Sequence, residues 1–219
     1  MNLLLQDQFL IATVTAVLAL LAIAWIAARV QTARRSAALA VALGDSSRGR
    51  LVAQRGPNAA GLVAAIEPPP EPYIAMTVSY HAASALDPLG WLGRLTQRPG
   101  DRLTIAARLP SRPVAELVWQ EGRLPAYAAA RRARASLWVP RRADIVDAAY
   151  AVRGVDTGAI EHVFVDLQAR FRPFLQEVIV LAEQDPEVRV TLRLAGLNLD
   201  EIPPLVASLR MLGRAALRR

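Results

Sequence analysis

The chain has 219 residues, 53% of them apolar, with 26 basic and 19 acidic side chains and a net charge of +7. Every basic residue is arginine and cysteine is absent, which excludes a disulfide framework, a thiolate metal site, Schiff-base chemistry and a P-loop lysine. The length suits one membrane segment plus one soluble domain, and the charge favours an anionic partner without choosing among lipid headgroups, nucleic acid and an acidic protein face.

Residues 1–8 read as a short tail ahead of an uncharged run, Phe9 to Ala28, closed by Asp7 on one side and Arg29 on the other. As a helix that run is about 30 Å long, the thickness of a bilayer's hydrocarbon. Ten of its residues are Phe, Leu, Ile or Val. Together they contribute roughly −3 to −6 kcal/mol to insertion, so residues 9–28 are expected to form a transmembrane helix acting as an uncleaved signal-anchor. A cleaved signal peptide fits less well, because the first eight residues carry no basic side chain and the apolar core is too long. Basic residues crowd the other flank: Arg29, Arg34 and Arg35, then Arg48, Arg50 and Arg55. By the positive-inside rule the N-terminus then lies outside and the remainder in the cytoplasm of a cell-membrane protein. Trp25 suits the interfacial aromatic belt. Ala12/Ala16 and Ala24/Ala28 have small-xxx-small spacing, which an alanine-rich composition also produces.

The helical pattern continues over 29–43 as a juxtamembrane stalk, and Gly44 ends it. Residues 44–72, with QRGPN and EPPPEP, read as a Pro/Gly-rich linker favouring extended polyproline geometry, in which Ala59 to Ile66 forms at most a short apolar segment. A cytoplasmic domain is expected over 73–219. Its first strand is YIAMTVSY, with Ile74, Met76, Val78 and Tyr80 on one face. Ala82 to Gln97 reads as an amphipathic helix, DRLTIAARL as a second strand, and AELVWQ as a third. Gly122 to Ala135 looks helical, SLWVP is a short strand, and Ala143 to Val152 fits strand and helix alike. Ile160, Val163, Phe164, Leu167 and Phe171 then recur at helical intervals, with Asp156 or Thr157 as N-cap and Pro173 as stop. EVIVLAE and EVRVTLRL form a hairpin across Gln184-Asp185-Pro186, and a final helix carries the stripe Leu205, Leu209, Leu212 and Ala216. The expected fold class is α+β: an antiparallel sheet of about five strands covered by three or four helices.

Motifs that carry chemistry are sparse. His162 and Asp166 share a helix face at i, i+4, and with Glu161 they form the nearest thing to a metal-ligand or hydrolase constellation; a polar face with a local ion pair explains them as well. GVDTG (154–158) precedes a helix and reads as a capping turn, since Asp156 repels phosphate. The arginines form the stronger pattern. Opposite the apolar face of the strands lie Arg102, Thr104, Arg108, Arg189, Thr191 and Arg193, relieved mainly by acids such as Glu116. A second cluster holds Arg131, Arg132, Arg134, Arg141 and Arg142, and Arg210, Arg214 and Arg218 line the last helix. Such patches suit phosphate or carboxylate groups, and equally a solvated, ion-paired surface. The clusters lack interleaved aromatics, which argues against nucleic acid.

The stretch LDPLGWLGRLTQRPGDRLTIAARL, with Arg98, Pro99 and Asp101 at its turn, resembles the opening of the cytosolic domain of the calumin-like endoplasmic-reticulum membrane proteins, members of the PAT chaperone complex at the multipass translocon. AIEHVFVDLQARFRPFLQEVIV and PPLVASLRMLGRA fall in similar places. The chain lacks that family's acidic segment before the membrane helix and its basic coiled-coil tail. The resemblance implies a non-enzymatic role in membrane-protein biogenesis, with no catalytic residue. The leading expectation is therefore a single-pass, membrane-anchored accessory or assembly protein, without cofactor or metal, whose basic domain docks on a membrane-protein partner or on anionic lipid. The alternative is a membrane-bound metal-dependent hydrolase using Glu161, His162 and Asp166. A third possibility is an extracytoplasmic module of inverted topology.

Overall fold

Alternating apolar side chains build the sheet. In β4 (Arg102–Arg108) Leu103, Ile105 and Ala107 are buried, while in β9 (Val188–Arg193) the same holds for Val188, Val190 and Leu192. The structure, a computed structural model, describes residues 2–58, 61–82, 101–122, 138–194 and 196–218. Within them lie seven further strands: β1 (Arg50–Asn58), β2 (Gly61–Glu67), β3 (Ala75–His81), β5 (Ala115–Gln120), β6 (Val139–Ala143), β7 (Ala148–Gly154) and β8 (Leu175–Val180). All nine join one sheet in the order β1-β2-β3-β4-β9-β8-β5-β7-β6, and every pair is antiparallel.

The α+β class stands, but the expected sheet of about five strands is corrected to nine. β1 and β2 were read as linker and β7 as strand or helix alike, while β6 was expected only over its first two residues. In β2, Leu62, Ala64 and Ile66 point into the core, yet the outward Val63 and Ala65 are apolar too, so no period-2 signal survives. Ala149 and Ala151 blur β7 in the same way, and 143–152 resolves into a 3-10 turn (Asp144–Val146) followed by that strand. β1 carries Pro57 within QRGPN, which read as linker, and β6 carries Pro140 at the end of the expected short strand SLWVP. Both are edge strands, where a missing N–H is tolerated, and β1 absorbs Gly56-Pro57 in register shifts after Ala53 and Arg55. The linker reading of 44–72 therefore fails over most of its length. Gly61, at φ +129, lies so close to the Tyr80 carbonyl that a Cβ would overlap that oxygen, so only glycine lets the start of β2 approach β3 there.

Three helices are described: α1 (Asn2–Ser47), α2 (Gly158–Phe171) and α3 (Ile202–Leu217). The helices expected over 82–97 and 122–135 lie outside the described residues, apart from their first residues. α2 and α3 match their expected spans and bury the predicted stripes, Val163 alone remaining half-buried. Thr157 is the N-cap position of α2, with its hydroxyl donating to Glu161 at 2.6 Å. α1 lies over β1 and β2, α3 packs beside it, and α2 packs on α3 and β5. All three seal the same sheet face, and a single hydrophobic core runs beneath them. On the opposite face Val118, Ile179 and Leu181 form a small second cluster against Trp138.

α1 departs most from expectation. It does not stop at Gly44 but runs unbroken to Ser47, about 69 Å in all. Its second half is no free stalk: Ser36, Leu39, Leu43 and Ser47, one stripe at helical spacing, are buried against the domain. Each fully buried leucine contributes about 1.5–3 kcal/mol relative to exposure.

Candidate functional site

The first half of α1 is the opposite case. From Ile11 to Ala27 every side chain is exposed, including Leu20 at 66% and Ile23 at 64%. Water disfavours so large an apolar surface, and the helix is long and apolar enough to span a membrane. The hydroxyl of Thr15 donates back to the Ile11 carbonyl at 2.8 Å, so this polar group needs no water. At the end of the apolar run the Arg29 guanidinium lies 4.4 Å from the Trp25 ring centroid, a cation–π pair one helical turn apart.

About 9 Å further along the axis, Arg35 reaches the domain. Its Nη1 donates to Asp101 Oδ2 at 3.0 Å, and its Nη2 donates to the Leu194 carbonyl. Asp101 precedes β4 and Leu194 follows β9, so one side chain ties α1 to two central strands. At the far end of the helix Arg210 of α3 donates to the Ser47 carbonyl at 3.3 Å. Sequence reasoning assigned Arg35 and Arg210 to docking patches; the structure engages both inside the protein. The stripe Ser36, Leu39, Leu43, Ser47 was legible as spacing, but reading residues 44–72 as a linker hid the β1–β2 surface that the stripe meets.

The remaining arginines divide by neighbour. Arg29, Arg34, Arg214 and Arg218 are exposed. Arg131, Arg132 and Arg134 lie outside the described residues. Arg141 sits 3.7 Å from Glu161, and Arg142 sits 2.9 Å from Asp147 and 3.7 Å from Asp144. On the sheet face away from the helices the expected juxtaposition exists: Arg102 pairs with Arg193 and Thr104 with Thr191 across β4 and β9, with Arg189 opposite Ala106. The charges there are partly answered. Arg108 bonds Asp185, and Arg193 lies 3.2 Å from Glu121. Among the described residues Arg102 and Arg189 have no carboxylate at ion-pair distance. Glu116, expected to relieve this patch, instead bonds Arg153 and accepts from the Ala182 N–H at 2.8 Å.

The metal-ligand constellation is not assembled. Glu161 accepts from Tyr150 at 2.9 Å and from Thr157, both away from its neighbour His162. His162 Nε2 and Asp166 Oδ2 are 3.6 Å apart on an exposed face. Among the described residues no three His, Cys, Asp or Glu side chains come together to hold a metal ion. No protein-family model matches the chain and no curated protein matches it, so the likeness to calumin-like proteins rests on element order and apolar spacing.

Proposed function

We propose that the chain is a single-pass membrane protein with its N-terminus outside and its α+β domain in the cytoplasm. There it acts as a non-enzymatic accessory or assembly subunit, docking on a membrane-protein partner or on anionic lipid. The observation that carries this reading is the double character of α1, exposed and apolar from Ile11 to Ala27 and buried along the stripe Ser36, Leu39, Leu43 and Ser47. A helix of that kind is a post rather than a tether: it holds the domain against the bilayer at a set height and rotation. The arginine excess on the flank after the span supports the orientation. Arg34, Arg214 and Arg218 on the helix side, and Arg102 and Arg189 on the opposite sheet face, supply cationic groups for docking, their forked guanidinium groups suited to carboxylate or phosphate.

The test is co-purification from gently solubilised membranes, with and without replacement of those five arginines by glutamine, alongside flotation with anionic vesicles. The proposal expects a partner or vesicle association that the replacement weakens. A chain that elutes alone and ignores anionic vesicles contradicts it.

A further inference from the structure

α1 is tied to the domain at two levels, which fixes the end of the sheet that faces the bilayer. Arg35, about 9 Å along the axis from Arg29, bonds Asp101 and the Leu194 carbonyl. Ser47, about 27 Å along, accepts from Arg210. Between Leu194 and α3 the chain makes a 3-10 turn (Leu199–Glu201) that also touches α1. α3 therefore runs beside α1 away from the bilayer, carrying Arg214 and Arg218 beyond Arg210. At the near end Asp101 leads into Arg102, and Gly61, His81, Arg102 and Arg193 form one cross-strand row. Arg55 lies opposite Val63, about 7 Å above Gly61 on the sheet face away from the helices.

Height sorts the arginines. Headgroups extend about 5–8 Å beyond the hydrocarbon, and the leaflet's charge fades over a further Debye length, about 8 Å at physiological salt. The long side chains of Arg34, Arg55 and Arg102, all exposed, reach into that zone. Arg48, Arg214 and Arg218 stand at or above the level of Ser47 and do not. Charge points the same way. Asp101 and Glu121, beside the near row, are held by Arg35 and Arg193. Glu177, further up, takes its hydrogen bonds from Gln120 and Thr191. Among the described residues Arg34, Arg55 and Arg102 have no carboxylate at ion-pair distance. We propose that these three arginines hold the phosphates of anionic phospholipids in the cytoplasmic leaflet, so that the near end of the sheet sits on the headgroups. The inference rests on the proposed span and orientation, and assigns lipid as the partner of this end of the domain.

The full chain is placed in nanodiscs of phosphatidylcholine alone and of phosphatidylcholine with about 30% phosphatidylglycerol, and the domain's melting temperature is read in each. A lipid that binds only the folded domain stabilises it, so phosphatidylglycerol is expected to raise the midpoint by about 3–6 °C. Replacing Arg34, Arg55 and Arg102 together by glutamine should abolish that rise. Replacing Arg48, Arg214 and Arg218 removes the same charge and should leave it intact. Each protein is compared with itself in two lipids, so a variant's own loss of stability cancels. Inorganic phosphate added to the phosphatidylcholine discs should not reproduce the rise. No rise in the unaltered chain, equal loss in both variants, or a rise with free phosphate would each overturn the lipid site while the span stands. A chain that does not enter nanodiscs overturns the span and this proposal with it.

Discussion

Arg35 and Asp101, 66 residues apart in the chain, meet at 3.0 Å at the seam between α1 and the sheet. The Arg35 side chain is about one-third exposed and that of Asp101 less, so solvent screens the pair only in part. Arg35→Leu takes the cation from Asp101 and leaves the Leu194 carbonyl with the Leu197 N–H alone, and is expected to lower stability by about 1–3 kcal/mol. Asp101→Asn should cost less, and the double variant less than the sum of the two, because the pair acts as a unit. Chemical unfolding of the four proteins in detergent checks this.

Leu39 and Leu43 have no exposed surface, whereas Ile23 on the same helix is 64% exposed. Leu39→Ala or Leu43→Ala is expected to destabilise the domain by about 2–5 kcal/mol. Ile23→Ala should leave the domain's unfolding midpoint unchanged. Equal effects at all three positions would mean that the second half of α1 is not part of the core.

Gly213 in α3 faces the ring of Tyr73, where a Cβ would come within 2.7 Å of Cζ and 2.8 Å of the phenol oxygen. Tyr73 is buried and donates to the Leu209 carbonyl at 2.5 Å, so its ring has little freedom to yield. Gly213→Ala, favourable for an isolated helix, is here expected to cost about 1–3 kcal/mol. Thermal unfolding of the variant reads the sign.

Three tyrosines make the domain sensitive to alkali. Burial pushes the Tyr80 phenol up to about 12, with Asp101 adding to the effect, and burial together with the bond to Glu161 pushes Tyr150 to about 12. Burial raises Tyr73 as well. The unfolded chain gives up these protons near pH 10 while the folded chain keeps them, so stability is full below about pH 10 and falls as pH rises towards 12. Unfolding midpoints measured from pH 8 upward should show that decline, and Tyr150→Phe should make it shallower.

These residues also mark what the sequence disclosed. β4 and β9 were readable because Arg102, Thr104, Arg108 and Arg189 alternate with apolar residues, giving the pleat its contrast. β2 and β7 were not, because alanine and valine occupy both faces, and the prolines of β1 and β6 are tolerable only at sheet edges, a place fixed by the completed topology. The basic patches show the same divide. That Arg102 and Arg193 adjoin followed from alternation, but Arg35 and Arg210 bond groups 66 to 163 positions away, and nothing near them in the chain announces a buried partner.

Whether one helix both crosses the bilayer and seals the core is read most directly by single-cysteine accessibility in intact cells, a clean measurement because the chain has no cysteine of its own. Cysteines placed one at a time at Gln6, Leu18, Ile23, Arg34 and Leu43 are challenged with a membrane-impermeant maleimide. The expected pattern is labelling at 6 from outside, none at 18 or 23, labelling at 34 only after permeabilisation, and at 43 only after denaturation. Free labelling at 18 and 23, or ready labelling at 43 in the folded protein, would contradict a helix shared between membrane and core.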